Sequence, residues 1–154
     1  MNHPPAPKPF LARLRLFLGR SWRDQWLFAQ AYLLLGLARL EIDTLKFENL
    51  VKRLGTAGVE TSQEIPPEQL QTARQIAWAV QAASRYTPWK SSCFPQAIAA
   101  KTLLRQRGMP STLYLGAAFK ARSELEAHAW LRCGPVYVTG GPGHRHFGTV
   151  GIFG

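Results

Sequence analysis

SSCFPQAIAAKTLLRQRG, residues 91–108, decides how this chain folds. From Pro95 to Arg107 the residues are strong helix formers with apolar positions at helical spacing. Arg105 and Arg107 stand in the last turn, where cations suit the helix dipole, and Gly108 follows as a stop. Cys93 stands just ahead of Pro95, at the end of the helix where free N–H groups favour an anion. A cysteine in that place is disposed to ionise, and the thiolate is the nucleophile. A lone cysteine at a helix start is more often a buried structural residue, so its reading rests on what surrounds it.

Downstream of Gly108 the period changes from helix to strand. Thr112–Phe119 (TLYLGAAF), Glu126–Arg132 (EAHAWLR) and Val136–Thr139 (VYVT) are strands, and the tail HFGTVGIFG adds a candidate. On a strand Glu126, His128 and Trp130 share one face, and Ala127, Ala129 and Leu131 the other. A histidine between alanines is not ordinary core filling, although a lone strand histidine is more often structural than catalytic. Taken together, a cysteine on a helix N-terminus followed by a sheet carrying a base is an arrangement that serves Cys–His catalysis.

Upstream lie helices. Phe10–Gly19 carries Phe10, Leu11, Leu14, Phe17 and Leu18 on one stripe, with arginines opposite. Ser21 caps a helix over about Trp22–Leu40, and Thr44–Leu54 forms another that stops at Gly55. Residues 56–67 read as a linker, and Glu68–Ser84 as a helix burying Leu70, Ala73, Ile76, Ala77 and Val80. Tyr86–Ser92 is a loop. Helices first and an antiparallel sheet afterwards define an α+β chain. The expected organisation is a disordered tail over 1–9 and a single domain over 10–154, with a helical lead-in at 10–55 and a catalytic core at 68–154.

These residues resemble a known family. SSCFPQAIAAKTLLRQRG, the strand TLYLGAAF and AHAWLR together are similar to the leader peptidases of lasso-peptide biosynthesis, in the transglutaminase-like superfamily. The pattern covers about residues 85–140: Ser-x-Cys, a helix with Leu103 and Leu104, a glycine stop, a strand, then Ala-His-Ala-Trp. RSWRDQWLFAQAYLLLGLARL resembles the helical lead-in of the standalone form. The resemblance implies a transglutaminase- or papain-like cysteine hydrolase core with Cys93 as nucleophile and His128 as base, and no cofactor. It implies cleavage of a precursor between leader and core peptides. The implied partners are the precursor leader peptide, a separate winged-helix protein that delivers it and an ATP-dependent, asparagine-synthetase-like cyclase.

One departure from the family stands out. Its members place an Asp on the strand after the histidine, where VYVTGG (136–141) has Thr139 and Gly140. No Asp or Asn follows Asn49, and no Glu follows Glu126. The candidates for orienting His128 are then the Thr139 hydroxyl, a backbone carbonyl, or Glu126 on the same strand face. The missing Asp also leaves room for a catalytically silent peptide-binding module, and a thioester intermediate would equally serve acyl transfer to an amine.

Other residues have plainer readings. His144 and His146 form an H-x-H pair that with His128 or Cys133 suggests a metal, but no carboxylate completes the set and no metal site is expected. Cys133, at an odd offset from His128, is read as structural. Trp89 and Trp130 are packing residues or walls of a cleft, and Gln96 is an oxyanion donor or a solvent-facing residue.

Charge and composition set outer limits. Lys and Arg number 19 against 9 acids, and the excess is even: nine basic and four acidic residues over 1–55, ten and five over 56–154. An even excess is usually a solvated surface, and an acidic peptide partner fits it better than nucleic acid, for which no basic run with interleaved aromatics exists. Two cysteines make no disulfide framework, and with no secretion signal a reducing cytoplasm is expected. Gln25–Ala38 (QWLFAQAYLLLGLA) is apolar but shorter than the roughly 20 residues of a membrane span. Four arginines precede it, as before a signal peptide, but it continues at helical spacing into Arg39, Glu41, Asp43 and Lys46. It therefore reads as a buried helix, with membrane contact possible but not expected.

Overall fold

A computed structural model describes residues 15, 17–120 and 124–154. The tail over 1–9 and most of the helix expected over Phe10–Gly19 lie outside them. Helix α1 spans Trp22–Thr44, with the Ser21 hydroxyl accepting from the Asp24 N–H at 3.2 Å. It absorbs Thr44, so the next helix, α2, is the short Phe47–Val51, in place of the expected Thr44–Leu54. Helix α3, Pro67–Ser84, starts on a proline whose missing N–H costs nothing in a first turn. Its buried face is Ala73, Ile76, Ala79, Val80 and Ala83, with Leu70 and Ala77 at the margin.

Helix α4 spans Cys93–Arg105 and begins two residues earlier than the sequence pattern suggests. Pro95 is compatible with this, because the first-turn N–H groups have no intrahelical acceptor. At its other end Gly108 adopts φ +64°, and the Met109 N–H reaches back to the Leu104 carbonyl at 3.0 Å. That is the left-handed closure for which glycine is suited.

The four strands are β1 (Thr112–Lys120), β2 (Glu124–Cys133), β3 (Val136–Thr139) and β4 (Gly148–Phe153). They form one antiparallel sheet in the order β3-β2-β1-β4. The tail thus supplies a strand, and a 3₁₀ turn at His144–His146 precedes it. Among the described residues, helices pack on one sheet face. Leu113, Ala129, Leu131, Cys133 and Val138 of that face join a core with Leu35, Ile76, Val80, Leu103 and Leu104 of the helices. The architecture is the expected α+β one.

The stretch read as a linker, 56–67, is tied to the sheet. Thr56 and Gly154 exchange backbone hydrogen bonds of 2.9 and 3.1 Å, extending β4. On the helix-free face, buried Arg132 donates to the carbonyls of Thr61 (2.9 Å), Gly134 (2.9 Å) and Ser62 (3.3 Å), and to the Tyr114 hydroxyl (3.1 Å). A buried guanidinium is tolerated only when its donors are satisfied in this way.

Lys101 of α4 does similar work where β1 begins and β4 ends. Its ammonium donates to the carbonyls of Ser111 (2.7 Å) and Phe153 (3.1 Å). Desolvation by burial, helped by the nearby Arg105 charge, pulls its pKa down from 10.5 to about 8. Between pH 8 and 10.5 the unfolded chain then holds the proton more firmly than the folded one, so Lys101 makes stability rise with pH across that window. Denaturant unfolding of wild type and Lys101→Met should show the wild type gaining on the variant from pH 8 to 10. A constant or shrinking difference would refute this.

Candidate functional site

Cys93 is the first residue of α4 and follows Ser92 as N-cap. Its thiol is free and half-buried, packed against the core. The loop ahead of it is braced by its own side chains. The Thr87 hydroxyl meets the Ser91 hydroxyl at 2.8 Å and donates to the carbonyls of Ser84 (3.2 Å) and Trp89 (3.1 Å). Trp89 packs on Gly36 of α1 and meets Tyr32 edge-on at 5.3 Å, so it fastens the loop to the helices. The first intrahelical bond of this end is Gln96 N–H to the Ser92 carbonyl at 3.3 Å, which leaves the N–H groups of Cys93 and Phe94 ahead of it. The Gln96 side chain donates to the Ser91 carbonyl at 2.8 Å, so it too holds the loop.

His128 sits on β2 opposite Gly116 of β1, a position where any larger residue would strike Trp130 and Phe147. Its ring stacks on Phe147 (4.9 Å between centroids) and Trp130 (5.9 Å), and Trp130 in turn stacks on Tyr114 at 5.4 Å. The ring nitrogen Nε2 lies 3.0 Å from the Gly140 carbonyl, with which it forms a hydrogen bond. A carbonyl oxygen only accepts, so this bond requires a proton on Nε2, and in the neutral ring the lone pair is then on Nδ1. A backbone carbonyl is thus the group that orients the imidazole, one of the three candidates named from sequence, and it acts on Nε2.

Thr139 does not fill that role. β3 pairs with β2 as Arg132↔Tyr137 and then Leu131↔Thr139, so Val138 is an extra residue in the ladder. The bulge turns Thr139 to the face of Leu131, the helix face, whereas His128 lies three residues from Leu131 on the opposite face. Among the described residues the Thr139 hydroxyl has no hydrogen-bond partner and is buried there. It lines a cavity of about 310 Å³ between α3 and the end of β3, with Trp78, Gln81, Gln96 and Gly140. The first turn of α4 and the carbonyl that holds His128 therefore border one corner of the molecule. Neither Cys93 nor His128 lines this cavity, His128 lies on the sheet face away from the helices, and among the described residues no hydrogen bond joins the thiol to the imidazole.

The remaining candidates separate cleanly. Glu126 pairs with Ala118 at the far end of the hairpin, two residues before His128. Cys133 is fully buried on the helix face, and burial pushes its thiol pKa up, partly offset by Arg132. His144 bonds through Nδ1 to the Gly141 carbonyl and stacks on Tyr137 at 4.5 Å, while His146 is exposed. Among the described residues no three His, Cys, Asp or Glu side chains converge as a metal would need. The Gly140 carbonyl went unnamed from sequence because main-chain oxygens leave no residue signature. The Thr-Gly-Gly run signals a turn and nothing more.

A model of the transglutaminase-like superfamily matches residues 38–151, well over half of the chain, and the chain belongs to that superfamily. Comparisons with curated proteins and with solved structures return no match. Cysteine hydrolases and acyltransferases are common in the superfamily.

Gly140 is the pivot of the site. It has φ +67°, and a Cβ there would press on the Ala129 carbonyl and on Trp130. Gly140→Ala should cost about 1–3 kcal/mol through strain at this left-handed residue. It should also loosen the imidazole. In long-range ¹H–¹⁵N spectra wild-type His128 should be the Nε2–H tautomer, and Gly140→Ala should give a mixture. An Nδ1–H tautomer in the wild type would contradict the arrangement.

Proposed function

We propose that this chain is a cysteine peptidase that removes the leader from a ribosomally made lasso-peptide precursor. The observation that carries the reading is Cys93 at the first position of a buried helix in a transglutaminase-like domain, followed by a sheet whose His128 ring is held by the Gly140 carbonyl. In the proposed reaction Nδ1 of His128 takes the thiol proton as Cys93 Sγ attacks the scissile carbonyl carbon. The first-turn N–H groups of Cys93 and Phe94 stabilise the oxyanion. Collapse of the tetrahedral intermediate breaks the C–N bond, the imidazolium returns its proton to the leaving amine, and a thioester remains. Water, deprotonated by the same nitrogen, hydrolyses it and regenerates the thiol.

Among the described residues no hydrogen bond joins the thiol to the imidazole, and His128 lies on the sheet face away from α4, so the proposed chemistry requires the pair to be brought together on substrate. The same observation, with the absent Asp, is what a silent peptide-binding module would show. An amine replacing water in the last step would make the protein an acyltransferase. Delivery of the leader by a separate winged-helix protein, and ring closure by an ATP-dependent cyclase, complete the proposal.

Mass spectrometry of precursor incubated with the protein and its delivery partner tests the assignment. Wild type and Cys133→Ala should release leader and core as separate peptides, and Cys93→Ala and His128→Ala should not. Full cleavage by Cys93→Ala would sink it, and leader binding without cleavage by the wild type would select the silent module. Independently, iodoacetamide near neutral pH should label Cys93 in the folded protein, and Cys133 only after denaturation.

A further inference from the structure

Helix α1 is apolar on two opposite sides. Leu27, Ala31, Leu35 and Ala38 enter the core. Trp22, Trp26, Leu33, Leu37 and Leu40 point outward, with exposures of 72%, 60%, 66%, 55% and 58%. At 3.6 residues per turn these five fall within an arc of roughly 60°, forming a straight ridge about 27 Å long. Phe47, 61% exposed at the start of α2, continues it. Five large apolar side chains on one line are not the scattered exposure normal for a soluble surface.

Basic charge predominates beside the ridge, with Glu48 the exposed acid next to Phe47. Each acid of α1 is engaged by an arginine: Asp24 with Arg20 (3.9 Å), Glu41 with Arg53 (2.6 Å) and Asp43 with Arg39 (2.6 Å). Arg15, Arg23, Lys46 and Lys52 are exposed around it, and the Arg23 guanidinium stands 5.9 Å from the Trp22 ring centroid. The chain as a whole carries +10.

We propose that the outward ridge of α1 is a peripheral membrane-binding surface for anionic phospholipid. Indole rings and leucines with flanking arginine and lysine are the composition of helices that lie in the headgroup region. A convex ridge suits a fluid interface, which needs no matching groove. Like charge on two copies opposes the ridge serving as a self-association seam. No helix among the described residues is long and apolar enough to cross a membrane, so the contact lies on the surface. The inference stands apart from the peptidase reading.

The test is co-sedimentation of the full chain with vesicles of phosphatidylglycerol and phosphatidylcholine, and with vesicles of phosphatidylcholine alone. The protein should bind the anionic vesicles preferentially, and binding should weaken as salt is raised through the screening range. The Trp22→Ser/Trp26→Ser/Leu33→Ser variant should bind at least about tenfold more weakly, having lost three large apolar anchors. Its circular dichroism should be unchanged; if it is not, Leu37→Ser/Leu40→Ser on the same ridge replaces it. No binding at low salt, equal binding to both vesicle types, or wild-type binding by the ridge variant would each overturn the proposal. So would a dimer in light scattering that the same variant dissolves, which would assign the ridge to a second copy.

Discussion

The burial of α4 from several sides is the constraint on which the molecule depends. Seven of its residues, Pro95, Ala97, Ile98, Ala99, Ala100, Leu103 and Leu104, are buried. They point in every direction around the axis, so α1, α3 and the sheet must all pack on this one helix. The three alanines let neighbours come close on one stretch, while Leu103 and Leu104 fill the space at the other end. A helix enclosed in this way has little freedom to tilt or slide. Its N-terminus is therefore fixed, and Cys93 with it, before any substrate arrives. The loop that delivers the chain to Ser92 is fixed separately by the Thr87 and Gln96 hydrogen bonds and by Trp89.

The second fixed point is the Gly140 corner. The chain leaves β3 through a left-handed glycine pressed against Ala129 and Trp130, which sets its carbonyl 3.0 Å from His128 Nε2. A main-chain oxygen cannot change rotamer, so the ring is aimed by the backbone itself, with Phe147 and Trp130 limiting its tilt. What a carbonyl lacks is a full negative charge to balance the imidazolium. In the proposed chemistry this weakness falls on a thiol, which ionises far more readily than a hydroxyl and so asks less of its base.

Much of this was legible in the sequence. The order of helices and strands follows from the change of apolar period at Gly108, and the superfamily from the pattern around Cys93 and His128. What was hidden was non-local. The bulge at Val138 is a matter of register between β2 and β3, and one extra residue reverses the face of Thr139. VYVT reads as a plain strand, so nothing in it reveals that its last hydroxyl turns away from His128. The start of α4 lies two residues before the proline that marks it in the sequence, because a proline fits any position of the first turn and here stands third. Residues 56–67 look like a linker by composition, and only the buried Arg132, distant in sequence, shows what holds them.

Helix α1 shows the limit of periodicity in another way. QWLFAQAYLLLGLA is apolar on nearly all sides, and such a helix reads as buried. The structure buries one side and leaves the opposite side to solvent. Burial of both sides would have needed a further layer, and among the described residues none covers the outer side. Selection for solubility removes exposed tryptophan and leucine where they serve nothing, since they invite association. Here the ridge is retained next to arginines whose excess is not consumed by ion pairs. The apolar content that made α1 look like core is thus in part surface, and its meaning comes from the charges beside it.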